Sequence, residues 1–460
     1  YDSAGRQIAV IAPDGVVTRT YYDDANRRIA MTTNLVGQAI TVNTPPAYNP
    51  VFPDENITTR YDYDALGRVV KTADNNNLTA YACYDALGRS IKSVQNPSVA
   101  DPCLTYTPSA NLDEDILTLT TYDAKGDAIA TTDPAGKITR IYYDALHRPR
   151  FGVANLFGQS IATTTPPTYN PAFPDQNVRQ ETKYDAAGRA FEMADNAGMV
   201  THNNYDLLDR PISVIVNYVS GGPQDNQTNL TTQTVYDKAG NATRAVDAKT
   251  VVTAFEYDAL GQLTAVVENY PPAVNPTADI NVRTEYAYDS HGNRLTLKDA
   301  KLSVTSYQYD ALDRLLTETD PLNHTTTHTY TLAGTQAALL DANNATTTYT
   351  YDDLRRLQTI DYPVGTSDVT LAYDAAGNRK TLTDSATTTW TLDGLYRPTQ
   401  IAAVFGSVDY AYDRLGLRLS LTYPDSKSVN YAYDGLYRLL NVAPQGGVGG
   451  VWGSGSGATG

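Results

Sequence analysis

The 460-residue sequence has few of the residues that usually build a thick core or an active site. It contains 7 Phe, 3 Met, 2 Trp and 5 His, against 35 Tyr. It also lacks a Gly-x-Ser-x-Gly elbow, a phosphate-binding loop, and His-Glu-x-x-His or Cys-x-x-Cys metal motifs. His324 and His328 could share one strand face, but no third ligand is evident nearby. We therefore expect no catalytic residue, no cofactor and no metal, and predict that the protein is not an enzyme.

Positive charge and long apolar runs are also scarce. Lys and Arg number 35 against 51 Asp and Glu, which gives a net charge of −16. A nucleic-acid partner requires a basic surface that neutralises phosphates, so DNA and RNA are excluded. No apolar run reaches the roughly 18 residues of a membrane-spanning helix, and no segment has the layout of a signal peptide. Because the chain opens inside a repeat at Tyr1, we expect any export signal to lie upstream.

What the sequence does have is one motif, Tyr63-Asp64-Ala65-Leu66-Gly67-Arg68, which returns in eighteen exact or degenerate units. Most steps between units span 19 to 22 residues, and five longer steps span 31 to 41. Self-similarity at a fixed period indicates one repeat array rather than several domains. We predict a continuous array over residues 1–442, in which 1–121 and 122–242 are tandem duplicates and 288–442 hold short regular units. The Gly-rich residues 443–460 are expected to form a flexible tail.

Each unit carries two turn signals, which predicts two β-strands of five to seven residues. The first is the Asp-x-x-Gly-Arg step, where Asp accepts backbone N–H groups and Gly tolerates the left-handed conformation. The second falls eleven residues after the motif Tyr, as at Asp74. Between turns, Thr, Val, Ile and Tyr alternate with a period of two. The predicted repeat-structural residues are Tyr63, Asp64, Gly67, Arg68, Tyr84, Asp85, Gly88, Arg89, Tyr184, Asp185, Gly188 and Arg189.

A second Tyr often stands two residues before the motif Tyr, as Tyr61 does before Tyr63. Such pairs fall on one sheet face, and stacked units would align their rings as ladders. The excess of Tyr over Phe further predicts a thin sheet with a partly wet face. Each motif Arg is expected beside its own motif Asp, as an exposed pair worth under about 1 kcal/mol.

These motifs resemble those of the YD-repeat family, also called Rhs repeats. The resemblance rests on Tyr-Asp-Ala-x-Gly-Arg at a 21-residue period with a Thr- and Tyr-rich strand before it, and it covers residues 1 to about 440. It implies an all-β fold, a long antiparallel ribbon of two-stranded repeats that spirals into an open shell-like or solenoid array. In the toxins of this family, such a shell encloses a C-terminal effector. No self-cleaving core or effector follows the repeats here, so self-cleavage is not carried over.

Eighteen two-stranded units give about 36 strands, or a sheet some 170 Å long at roughly 4.8 Å per strand. At a shell diameter of roughly 50 to 60 Å, this length makes about one turn. We therefore predict that the chain alone does not close a cavity. A rod and a β-propeller remain alternatives, because two repeats have the four strands of a propeller blade.

The long units carry inserts that all emerge from one edge of the predicted ribbon. Three of them share a Pro-Pro-x-x-Asn-Pro core, at residues 45–50, 166–171 and 271–276. Proline fixes φ and cannot donate to a β-ladder, so these are rigid loops. Their aromatics are the candidates for contact with a glycan or protein, and the alternative, which the sequence favours, is that they cap the sheet edge. These candidates are Tyr48, Phe52, Tyr169 and Phe173. The acidic Asp113-Glu114-Asp115 insert lacks the spacing of a calcium loop and is interpreted as solvated.

The two cysteines, Cys83 and Cys103, lie in one unit, and the duplicated copy lacks both. Joint loss favours a disulfide slightly over two independent buried thiols. A bond would indicate an oxidising, extracytoplasmic location.

Taken with the resemblance, these features predict a structural scaffold of a secreted or cell-surface bacterial protein, within a β-shell or fibre. Its partners would be other parts of a larger YD-repeat polypeptide or copies of itself. The alternatives are an adhesin-like module that binds carbohydrate or protein, and an encapsulating fragment of an Rhs-type toxin.

Overall fold

The computed structural model describes residues 1–271, 277–363 and 365–444, and these residues form a single antiparallel β-sheet. Thirty-five strands are present, against about 36 predicted. Most have five to seven residues, as the two turn signals per unit require. The strands are β1 Ala9–Ile11, β2 Val17–Tyr22, β3 Arg28–Thr33, β4 Ile57–Tyr63, β5 Val69–Ala73, β6 Thr79–Tyr84, β7 Ser90–Gln95, β8 Ile116–Tyr122, β9 Ala128–Thr132, β10 Ile138–Tyr143, β11 Pro149–Ala154, β12 Val178–Tyr184, β13 Ala190–Ala194, β14 Val200–Tyr205, β15 Pro211–Val216, β16 Leu230–Tyr236, β17 Ala242–Val246, β18 Val252–Tyr257, β19 Leu263–Glu268, β20 Val282–Tyr288, β21 Arg294–Lys298, β22 Val304–Tyr309, β23 Leu315–Thr319, β24 Thr325–Tyr330, β25 Gln336–Leu340, β26 Thr346–Tyr351, β27 Leu357–Asp361, β28 Val369–Tyr373, β29 Arg379–Thr383, β30 Thr387–Leu392, β31 Pro398–Ala403, β32 Gly406–Tyr412, β33 Arg418–Thr422, β34 Ser428–Tyr433 and β35 Leu439–Pro444.

Each strand pairs with the next strand in sequence, from β1–β2 to β34–β35, and every pair is antiparallel. The sheet is therefore a long ribbon, and β1 and β35 are its two open ends. This confirms the predicted fold class and argues against a propeller, whose blades are separate sheets. Strand β35 runs to Pro444, so the sheet extends two residues past the predicted end of the array. The rest of the predicted tail, 445–460, lies outside the described residues.

The ribbon has two edges that carry different turns. The motif turns, such as Asp64–Arg68 between β4 and β5, form what we call the motif edge. The second turns, such as the one at Asp74 between β5 and β6, share the opposite edge with the five inserts, and we call it the insert edge. At both kinds of turn the Asp side chain accepts hydrogen bonds from backbone N–H groups. Asp64, for example, accepts them from Leu66 and Arg68.

The sheet is thin, and most of its side chains keep some contact with solvent. The accessible surface of the whole chain is 26952 Å², whereas a compact protein of this mass would expose about 17,000 Å². Among the described residues, fully covered rings such as Tyr21 and Tyr142 are few. The expected thin sheet with a partly wet face is the structure observed.

The ribbon coils back on itself, so that its last units lie against its first. Arg355, between β26 and β27, contacts Asp14, between β1 and β2, which is 25 strands earlier. Gly394, between β30 and β31, contacts Asp113, between β7 and β8, which is 23 strands earlier. One turn of about 24 strands has a circumference near 115 Å, and hence a diameter of roughly 40 Å. The 35 strands make about one and a half turns, a tighter coil than the single turn of roughly 50 to 60 Å expected from the sequence.

Candidate functional site

The motif turn is held by its own Asp and Arg. Asp64 Oδ1 accepts the backbone N–H groups of Leu66 and Arg68 at 2.9 and 3.0 Å, and its Oδ2 accepts Nε of Arg68 at 2.7 Å. Gly67 closes the turn at φ 80°. The backbone and side-chain hydrogen bonds from Arg68 outweigh desolvation and lower the pKa of Asp64. The same contacts recur at Asp85 with Arg89 and at Asp185 with Arg189.

The motif Arg also joins its unit to the next one. Arg68 lies over the ring of Tyr84 at 4.5 Å from the centroid, and its Nη1 donates to the backbone oxygen of Asp85 at 3.4 Å. The Tyr84 hydroxyl in turn donates back to the carbonyl oxygen of Val69 at 3.0 Å. A motif Arg stacks on the next motif Tyr at Arg6, Arg27, Arg68, Arg89, Arg148, Arg189, Arg210, Arg314, Arg356 and Arg397.

This arrangement differs from the expected ladder of tyrosines. Among the described residues, direct stacking of two tyrosines is recorded at Tyr410 and Tyr412, with centroids 6.5 Å apart. In ten units the motif Arg instead leaves its turn and stacks on the Tyr ring of the following unit. The motif Arg is therefore a connector between units and not only half of a local ion pair.

We expect Arg89→Lys to weaken the join between two units, because Lys keeps the charge but loses the planar fork. Arg89 bonds Asp85, stacks on Tyr122 at 4.6 Å, and donates to the backbone oxygen of Asp123. The free energy of unfolding should fall by about 1 to 2 kcal/mol, seen as a lower urea midpoint. Arg60→Lys is the matched control, since Arg60 is exposed on β4 and the change should alter stability by less than about 0.5 kcal/mol. Equal midpoints for the two variants would contradict the connector role.

The five inserts are closed by the same Asn hydrogen bond, which we call the clasp. At the start of each, an Asn side chain donates to a backbone carbonyl near the end of the same insert, as Asn34 does to Asp54 at 2.8 Å. The clasp recurs at Asn96, Asn155, Asn217 and Asn269, with distances of 2.6 to 2.7 Å. The carboxylates of Asp54, Asp113 and Asp175 are thereby held at the insert edge.

The seam is the contact between the motif edge of residues 352–438 and the insert edge of residues 14–175. Backbone N–H groups at the third motif position bond the clasped carboxylates: Asp353 to Asp54 at 3.4 Å, Gly394 to Asp113 at 2.8 Å and Gly435 to Asp175 at 2.6 Å. These three donors are spaced 41 residues apart, and each meets the carboxylate of a different insert. One turn of the ribbon therefore docks on the next through a repeated contact.

A second row of seam contacts comes from the fifth motif position. Arg355 bonds Asp14 at 2.9 Å, the hydroxyl of Tyr396 bonds Asp74, and that of Tyr437 bonds Asp133. The hydrogen bond from Arg355 is the main cause of the lowered pKa of Asp14. Burial, followed by the bond to its Asp, raises the pKa of each of the two tyrosines, so both hydroxyls stay protonated as donors.

Sequence reasoning missed these seam residues, although a signal was present. In the first thirteen units the fifth motif position holds Gly, Asn, His or Asp, which tolerate a positive φ. Arg355, Tyr396 and Tyr437 occupy that position at φ 62°, 64° and 66°. A bulky residue in a left-handed conformation indicates a constraint from outside the turn, and here that constraint is the seam.

Gly394 and Gly435 at the third motif position carry a related signal. A Cβ at Gly394 would lie 2.6 Å from Nδ2 of Asn96 and 3.0 Å from Oδ2 of Asp113, and a Cβ at Gly435 would meet Asn155 and Asp175 as closely. Only glycine allows the insert edge to approach this far. The sequence Asp-Gly-Leu-Tyr-Arg, found at 393–397 and 434–438, is thus the seam form of the motif.

The four candidate binding aromatics do not form one site. Phe52 and Phe173 are about half exposed, whereas Tyr48 and Tyr169 are partly buried. The two loops lie between β3 and β4 and between β11 and β12, eight strands or about 40 Å apart along the ribbon. Tyr48 lies within electrostatic reach of Asp374 and Arg356, next to the seam. The third proline loop falls largely on residues 272–276, outside those described.

Cys83 and Cys103 are joined by a disulfide, with Cα atoms 5.5 Å apart. The bond ties β6 to the insert that follows β7. This insert is not the solvated acidic loop predicted: Asp115 is fully buried and accepts hydrogen bonds from Ser98 and Ser109. Burial alone would raise the pKa of Asp115, but these hydrogen bonds hold it below its usual value.

Within residues 1–271, 277–363 and 365–444, no three His, Cys, Asp or Glu side chains are arranged to hold a metal ion. The same residues include no helix with the length and hydropathy needed to cross a membrane.

The fold and seam define an open β-spiral repeat protein. Residues 1–35, 236–269 and 288–325 match the family model described as RHS Repeat. These three segments match RHS repeats, which confirms the resemblance seen in the sequence. A comparison with curated proteins found no match.

The fold is similar to solved Tc toxin structures. TcdB2-TccC3-TEV matches with a TM-score of 0.57 at 17% identity, over 92% of this chain and 24% of that one. TcdB2-TccC3 without its hypervariable C-terminal region matches at 0.56 and 20% identity, over 93% and 23%. The Tc holotoxin pore of Photorhabdus luminescens matches at 0.54 and 17%, over 93% and 23%. The chain thus spans about a quarter of the length of these neighbours, and at these identities the likeness concerns the fold alone.

Proposed function

We propose that this chain is a non-catalytic wall segment of a secreted or cell-surface β-shell. The observation that carries the proposal is the seam, which fixes a thin ribbon in an open coil roughly 40 Å across. A sheet that only had to bury a core would not require a repeated contact between its turns. The likeness to parts of larger Tc toxin assemblies supports a role as one section of a longer wall.

The internal chemistry of the ribbon suits a wall. Arg–Tyr stacks and motif ion pairs join neighbouring units, while clasped inserts and seam bonds join neighbouring turns. These contacts are polar and regularly repeated, so they fix curvature without a thick apolar core. The Cys83–Cys103 bond supports an extracytoplasmic location, where disulfides persist.

An adhesin-like role has less support. A carbohydrate platform requires aromatics that act together, and the two loops that carry Phe52 and Phe173 lie about 40 Å apart along the ribbon. Tyr48 is partly buried and lies within electrostatic reach of Asp374, beside the seam. Each loop on its own offers a single exposed ring.

Electron microscopy of the natural full-length protein tests the wall proposal. We expect residues 1–444 to line part of a hollow particle, with the ribbon coiled about 24 strands per turn. A particle in which this segment is packed solid, or projects as an extended rod, would contradict the proposal.

A further inference from the structure

One of the eighteen motif turns lacks both members of the Asp–Arg pair. In the unit that begins at Tyr330, Thr331 stands in place of the motif Asp and Thr335 in place of the motif Arg, whereas the other seventeen units all have the Asp. This turn, residues 331–335, is called the Thr331 turn below. It closes as the others do, because the N–H of Thr331 donates to the carbonyl oxygen of Thr335 at 2.8 Å. The backbone of the motif is therefore kept, but the guanidinium group that leaves the turn in other units is replaced by a short hydroxyl side chain.

The two flanking units show what such a guanidinium group contacts. Arg314, in the unit before, lies over the ring of Tyr330 at 4.5 Å from the centroid, and its Nη1 donates to the backbone oxygen of Thr331 at 3.4 Å. Arg356, in the unit after, lies over the ring of Tyr373 at 4.8 Å and donates to the backbone oxygen of the next residue at 2.8 Å. The place of the guanidinium group is thus bounded by a motif Tyr ring, by the backbone oxygen that follows this Tyr, and by the turn that the Arg leaves.

A cavity of about 330 Å³ lies at the equivalent place beside the Thr331 turn. Its lining includes Thr331 and Thr335, together with Tyr351 and Asp352, which correspond to the ring and the backbone oxygen of the flanking units. Burial is the main cause of the raised pKa of Tyr351, so its ring is a neutral phenol whose face attracts a cation. These four residues belong to two consecutive units. The cavity therefore follows from the two threonines and not from the ends of the chain.

Negative charge is in excess around this cavity. Asp14 and Asp353 line it together with Asp352, against the guanidinium group of Arg355. Arg355 is bonded to Asp14 at 2.9 Å, and Arg356, which lies next to the cavity in sequence, is bonded to Asp352 at 2.6 Å. Both of these cations are thus already paired within the protein. The charges that line the cavity favour a cationic ligand over an anionic one.

We propose that this cavity binds a guanidinium group, carried by a small molecule or by an arginine side chain. The bound group stacks on the ring of Tyr351 and donates to the backbone oxygen of Asp352 and to the threonine hydroxyls. A guanidinium group fits better than an ammonium group, because its flat fork can cover a ring and reach acceptors at its edge at the same time. Ten motif arginines make this stack on the following Tyr elsewhere in the chain. The inference goes beyond the wall function, because a wall requires no ligand.

Ligand-observed NMR titrations of the full 460-residue chain with N-ethylguanidinium test the proposal. We expect saturable binding of one molecule per chain, with a Kd of about 1 mM at low salt. Ethylammonium, which has the charge without the plane, and N-ethylurea, which has the plane without the charge, should bind at least about tenfold more weakly. N-acetylarginine amide distinguishes the two sources of the group. Binding of this compound with similar affinity indicates an arginine side chain, and binding of N-ethylguanidinium alone indicates a small molecule.

A variant that fills the cavity from within gives the second arm. Thr331→Asp with Thr335→Arg restores the motif pair, so folding should be retained while the new guanidinium group takes the place of the ligand and weakens binding at least about tenfold. The matched control is Asn293→Arg, which restores the motif Arg in a unit where Asn293 already bonds Asp289 at 3.0 Å, and it should leave binding unchanged. The proposal is overturned if the unaltered chain shows no saturable binding, if ethylammonium or N-ethylurea binds as tightly, or if the filled variant binds as well as the unaltered chain.

Discussion

Replacing Arg355, Tyr396 and Tyr437 together with glycine should open the coil while leaving the ribbon intact. Each residue reaches across the seam to an Asp: Arg355 to Asp14, Tyr396 to Asp74 and Tyr437 to Asp133. Loss of three partly buried polar contacts should cost about 3 kcal/mol or more of the free energy of closing. Hydrogen exchange at the amides of Gly394 and Gly435 should then accelerate by about a hundredfold, and the radius of gyration should rise.

Glycine is chosen because it removes the side chain that contacts Asp across the seam while it preserves the conformation of the motif turn. All three residues have a positive φ, so glycine relieves backbone strain, and a purely local role would leave stability equal or higher. The matched control is His147→Gly with Asp209→Gly and Asp313→Gly, at the same motif position and similar φ but on the motif edge of earlier units, outside the seam. The control should keep the closed coil. Opening in the control, or none in the seam variant, would show that the fifth position does not hold the turns together.

Removal of the disulfide should give the second large effect. Cys83→Ser with Cys103→Ser frees a segment with a sequence separation of 20 residues, and the free energy of unfolding should fall by about 3 kcal/mol in the entropic description of the unfolded chain. The insert closed by this bond also presents Asp113 to Gly394, so we expect faster exchange at Gly394 as well as a lower urea midpoint.

Two further measurements distinguish the contribution of the disulfide to stability from that of the hydrogen bonds in the same insert. Asp115→Asn keeps both cysteines but weakens the hydrogen bonds that order the same insert, so it should lower the midpoint less than loss of the bond does. Thiol labelling of the denatured, unreduced protein from its natural source should find no reactive thiol. Two labelled thiols would refute both the bond and the extracytoplasmic location inferred from it.

Local features of the fold could be predicted because their causes are local. Asp64 and Arg68 are four residues apart, and the turn that joins them is encoded by Asp, Gly and Arg in one motif. The strand between two turns follows from alternation with a period of two. The pairing of each strand with the next follows because short turns leave no other partner within reach.

The same reasoning could not predict the stack of Arg68 on Tyr84, since it depends on how side chains from successive units meet across the sheet. The seam depends on still more distant geometry. Twist and coil accumulate over about 24 strands before Tyr396 meets Asp74, so a small error per strand changes which residues touch. The substitutions at the fifth motif position were visible, but their meaning required the pitch of the spiral.

The return of the last units onto the first is the central claim, and one distance tests it most directly. Spin labels on Val51→Cys and Ala376→Cys would sit at exposed positions beside Tyr48 and Asp374, which lie within electrostatic reach of each other. Along the ribbon these labels are 25 strands apart, or about 120 Å. Pulsed dipolar spectroscopy should instead give a distance under about 30 Å, since each label is only two or three residues from Tyr48 or Asp374. A distribution with no population below about 60 Å would contradict the coil.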